Sequence, residues 1–132
     1  MTLQSQEERI FMKTMNLLEE LVFHEGDPYA EPLYVNEAGR ILRFTLRPGQ
    51  TIREHHAPNS PFYVVVLKGH GLFAGGDGEE QRFGPNSLLV FDSGENHLIR
   101  AVDEELVFVG FLHGVPDMRP GKVGGKMARQ AE

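Results

Sequence analysis

The chain has 132 residues, a formal charge of −6, no cysteine and no tryptophan. That is one domain's worth of sequence, and the missing cysteine excludes a disulfide scaffold, a thiolate zinc site and a cysteine nucleophile. Residues 1–115 carry the acid excess while 116–132 are net basic (Arg119, Lys122, Lys126 and Arg129 against Asp117 and Glu132), so the body would repel nucleic acid rather than release its counterions.

Residues 5–23 predict one amphipathic α-helix. Ser5 and Glu8 have the spacing of a capping box. Ile10, Phe11, Leu17, Leu18, Leu21 and Val22 recur near the helical period, and Gly26 and Pro28 stop the pattern. From residue 31 the texture becomes short apolar runs: Leu33–Val35, Ile41–Leu46, Phe62–Leu67, Leu72–Ala74, Ser87–Phe91, His97–Val102 and Leu106–Leu112. Turn formers separate them, among them Arg47-Pro48-Gly49, Lys68-Gly69, Gly75-Gly76-Asp77-Gly78, Gly84-Pro85-Asn86 and Ser93-Gly94. Fifteen glycines and eight prolines supply these turns. Seven or eight strands at this spacing predict a mainly β, antiparallel barrel or jelly roll. The expected division is an N-terminal helix over 1–28 packed on the barrel, a barrel over 29–115, and a flexible basic tail over 116–132. No run reaches the ~18 apolar residues of a membrane span, and no signal-peptide pattern opens the chain, so no membrane contact and a cytoplasmic location are expected.

Two segments carry the histidines of interest. "RPGQTIREHHAPNSPFYVVVLKG" spans 47–69 and "FGPNSLLVFDSGENHLIRA" spans 83–101. Together they resemble the two motifs of the cupin superfamily, G-x5-H-x-H-x3,4-E-x6-G and G-x5-P-x-G-x2-H-x3-N. Gly49, His55 and Gly69 match the first, and Gly94 and His97 the second. Gly84, two positions early, or Asn86, in register, stands for the second motif's first glycine.

The resemblance implies a small cupin barrel. It also implies a divalent metal (Fe, Mn, Ni, Cu or Zn) held by three histidines and a glutamate, an all-nitrogen-and-oxygen donor set. His55 and His97 occupy ligand positions. Ala57 stands where the second histidine belongs and Phe62 where the glutamate belongs. Two replacement sets are open: His55 with His97 and waters, or Glu54, His56 and His97, which a bulge near Pro58 would bring to one face. Against both stands a solvated His55-His56 rim, with His97 filling the barrel mouth on a backbone carbonyl. His24, His70 and His113 have no motif support.

Phe62, Val64 and Val66, with Ala57, are the expected apolar pocket residues. Tyr63, Val65 and Leu67 point the other way, a stripe that a second copy of the chain or the N-terminal helix would cover. Asp103-Glu104-Glu105 reads as a charged hairpin turn. The expected function is a small-molecule binder, with or without a divalent metal. The alternatives are a metal-dependent oxygenase or isomerase and a regulatory dimeric module; the partners expected are a small-molecule ligand and a second copy.

Overall fold

A computed structural model describes residues 11–54 and 59–113. Nine strands follow one another: β1 (Tyr29–Asn36), β2 (Gly39–Leu46), β3 (Thr51–Glu54), β4 (Phe62–Lys68), β5 (Gly71–Ala74), β6 (Gln81–Phe83), β7 (Leu88–Phe91), β8 (His97–Ala101) and β9 (Leu106–His113). They build two antiparallel sheets, a five-stranded one in the order β1-β2-β9-β4-β7 and a four-stranded one in the order β3-β8-β5-β6. The mainly β, antiparallel jelly-roll expectation is met.

The alternation of side chains places the core. On β4, Phe62, Val64 and Val66 are buried and Tyr63, Val65 and Leu67 half-buried. The inner faces contribute Leu42, Phe44 and Leu46 from β2, Phe73 from β5, Ile99 and Ala101 from β8, and Leu106, Phe108 and Leu112 from β9. Phe44 stacks on Phe108 at 4.6 Å and meets Phe62 edge-on at 5.9 Å, arrangements that aromatic quadrupoles favour. Among consecutive strands, only β1–β2 and β5–β6 pair with each other. Lys68-Gly69 and Asp103-Glu104-Glu105 are instead corners that carry the chain from one sheet to the other. They join strands that do not pair, which corrects the hairpin reading of Asp103-Glu104-Glu105. Asn86, with φ +71°, takes the left-handed conformation required of the second motif's first glycine. That decides between Asn86 and Gly84.

The expected N-terminal helix is not formed over its described part. Residues 11–25 run as an irregular strap across the outer face of β2, and no helix occurs among the described residues. The reason lies in where the strap's carbonyls go. The Arg43 guanidinium donates to the carbonyls of Leu17 and Glu19, each at 3.0 Å, and the Thr45 hydroxyl donates to that of Val22 at 2.6 Å. The Gln50 side-chain amide donates to those of His24 and Glu25 at 2.8 and 3.2 Å. A helix would spend the same carbonyls on its own amides. Asn16 assists, because its side-chain oxygen accepts the Leu18 amide at 3.1 Å and so starts a turn. Glu20 then sits at φ +54°, outside any right-handed helix. The capping pair Ser5 and Glu8 and the basic tail over 116–132 lie outside the described residues.

Candidate functional site

His97 opens β8 on its inner face. The alternation that buries Ile99 and Ala101 turns the His97 ring the same way, leaving it 2% exposed. Phe62 and Phe91 flank it, with ring centroids 5.2 and 5.1 Å away. Neither ring nitrogen has a hydrogen-bond partner among the described residues. Burial lowers the pKa of His97 from 6.5 to about 4, against an opposing pull from the Glu95 carbonyl and carboxylate. That carbonyl does not reach His97 in hydrogen-bonding geometry, and no other carbonyl among the described residues does. A buried polar group without a partner costs roughly 1–3 kcal/mol. A neutral imidazole with both nitrogens open is also the form that ligates a metal.

The other expected ligands cluster at the same place in the chain. Glu54 ends β3 and is the ladder partner of His97. His55, His56 and Ala57 follow it directly and lie outside the described residues. No group of three or more potential metal ligands forms among the described residues. The remaining histidines are elsewhere. His24 stacks on Tyr29 at 4.2 Å, His70 faces Glu104 at 3.2 Å, and His113 Nε2 lies 3.1 Å from the Tyr63 hydroxyl on the outer face.

Phe62, Val64 and Val66 are at most 1% exposed and packed into the core. Phe62 belongs to the wall around His97, while Val64 and Val66 lie in the layers behind it. None of the three lines the groove of about 530 Å³ on the outer face of the four-stranded sheet, where Thr51, Arg53, Leu98 and Arg100 project and which His97 borders. Sequence reasoning missed this groove. Its signal was the alternation of Thr51, Arg53, Leu98 and Arg100 with inward-facing Ile52 and Ile99, once β3 is recognised as a strand.

Solved structures of other proteins resemble this chain. An RmlC-like cupin protein from Desulfovibrio desulfuricans is 29% identical, with a TM-score of 0.68 over 77% of this chain and 97% of that one. A conserved protein with a double-stranded β-helix domain from Klebsiella pneumoniae is 17% identical, with a TM-score of 0.72 over 80% and 92%. An RmlC-like cupin family protein from Methanocaldococcus jannaschii is 19% identical, with a TM-score of 0.61 over 74% and 93%. No match was found among curated proteins. The sequence pattern of the Cupin domain family matches residues 42–111, more than half of the chain and a run from within β2 to within β9, and the chain therefore belongs to the cupin family.

Proposed function

We propose that this protein is a small-molecule-binding cupin whose barrel mouth holds a divalent metal through His97. The observation that carries this is the buried, neutral His97 ring, neither of whose nitrogens has a partner among the described residues. Glu54, across the ladder, and His55 or His56 are the donors we assign beside it, an imidazole–carboxylate set that suits Fe, Mn, Ni, Cu or Zn. Such an ion would polarise a bound carbonyl or activate a water. Phe62 and Phe91 would keep bulk water from the ring and orient an apolar ligand against it. An oxygenase or isomerase reaction would need the same ion, so the metal measurement comes first.

Metal analysis of tag-free protein purified from metal-supplemented cells should find close to one transition metal per chain. His97→Ala should abolish it and His24→Ala should leave it unchanged. Metal retained in His97→Ala would overturn the assignment.

We further propose self-association through the outer face of the five-stranded sheet. Val90, Tyr63 and Phe111 are cross-strand neighbours there, as are Leu88 and Val65. Leu88 is 67% and Val90 50% exposed, on a strand at the sheet edge. A cytoplasmic setting accords with this reading, and no helix among the described residues is long and apolar enough to cross a membrane.

A further inference from the structure

We propose that the groove on the outer face of the four-stranded sheet, which His97 borders at one end, is a binding site distinct from the apolar barrel core. It would take a small amphipathic carboxylate, anchored by Arg53. The groove holds about 530 Å³, within the ~300–1,000 Å³ typical of small-molecule sites.

Its make-up follows from register. Ile52 and Ile99 face the core, so their neighbours Thr51, Arg53, Leu98 and Arg100 face outward. Thr51 pairs with Arg100 and Arg53 with Leu98 across β3–β8, and Leu98 pairs with Ala74 across β8–β5. Leu98 and Ala74 thus form an apolar floor. Arg53 and Thr51 stand along one side, and the β5–β6 loop stands along the other.

That loop is built in advance. The Glu95 carboxylate accepts the Gly76 amide at 2.7 Å and the Asp92 amide at 2.8 Å. Gly78 donates to the Gly75 carbonyl at 3.0 Å. A side chain at Gly75 would displace the Glu95 carboxylate from its two amide contacts, so glycine there allows the close approach that fixes the wall. Arg100 donates twice to Glu80, at 2.9 and 3.1 Å, and fastens the loop's far end to the sheet.

Among the described residues of the groove, the charges then leave one cation over. Arg100 is engaged by Glu80, and Asp77 accepts the Glu79 amide at 3.0 Å. Arg53 is exposed and has no hydrogen bond or ion pair among the described residues. A planar guanidinium beside an apolar floor, with the Thr51 hydroxyl at hand, matches a carboxylate on an apolar body. A phosphate dianion would bring its second charge towards Glu80.

Amide chemical-shift titration of the full chain tests this, with benzoate, its uncharged analogue benzamide, and inorganic phosphate as probes. Benzoate should give saturable shifts confined to residues 51–53, 74–80 and 96–100. Arg53→Gln should weaken benzoate about tenfold, the loss of one charge-assisted hydrogen-bonded pair. Benzamide should bind about as weakly to the unaltered protein, and phosphate should not saturate. Because His97 borders the groove, the control is chelator-treated protein, which should bind benzoate unchanged and so keeps this result independent of the metal site. The proposal is overturned by unchanged affinity in Arg53→Gln, by shifts centred on Phe62 and Phe91, by the absence of saturation, or by phosphate binding tighter than benzoate.

Discussion

His97 shows how one inward-facing position on a strand becomes chemically distinct. Its ring is held between Phe62 and Phe91, and burial keeps it neutral down to about pH 4. The unfolded chain, titrating near 6.5, takes up the proton first. The contribution of neutral His97 to stability is therefore complete above pH 6.5 and is lost as pH falls from 6.5 towards 4, with a slope of up to about 1.4 kcal/mol per pH unit. Chelator-treated protein should accordingly show a lower urea midpoint at pH 4.5 than at pH 7. His97→Leu, which cannot charge, should lose most of that difference; an equal drop in both proteins would remove His97 as its source. Gly110 is a second position decided by its neighbours. A Cβ there would stand 2.7 Å from Phe62 Cζ and 3.0 Å from Phe44 Cε1. Both rings are fixed by other aromatics and cannot withdraw. Gly110→Ala should cost about 1–3 kcal/mol in chemical denaturation, whereas Gly26→Ala, where a Cβ meets nothing within 4 Å, should change little.

At the scale of elements, the strap over residues 11–25 depends on partners remote in sequence. Arg43 joins Glu31 at 2.6 and 3.0 Å and two strap carbonyls at 3.0 Å while its side chain is only 6% exposed. Arg43→Met would leave the carbonyls of Leu17 and Glu19 without their donor. Glu31, one-third exposed, would turn to water. The expected loss is about 2–3 kcal/mol in urea unfolding, with faster amide exchange over residues 11–25 and unchanged exchange in β4 and β9. Slow exchange preserved in the strap would show that Arg43 does not hold it. The apolar spacing of residues 10–22 read as a helix because it was helical in period. The polar side chains on β2 that claim the strap's carbonyls were invisible to that reading. β6, with three residues and no apolar alternation, left no signal either.

For the whole molecule, the strap crosses the five-stranded sheet at Arg43 and Thr45, where Val107 and Val109 are buried alongside. The face towards β7 stays open at Leu88 and Val90. A two-fold pairing of this face would bury both patches at once. Light scattering should give twice the chain mass, and Leu88→Lys combined with Val90→Lys should return the monomer. A monomeric unaltered protein would refute the pairing.

The sequence by itself determined the strands' alternation, the left-handed turn positions and the two motifs that flag His97, because each is written in one continuous stretch of chain. Only the tertiary structure decided which turns are hairpins and which are corners between sheets. It also decided that the N-terminal segment lends its carbonyls to β2 rather than to itself, that His97 is stranded between two phenylalanines, and that Arg53 overlooks a groove. These depend on residues distant in sequence being brought together, Leu17 with Arg43 and Phe62 with His97 among them, and the cost or gain of that meeting is set by packing and desolvation, which no local pattern records.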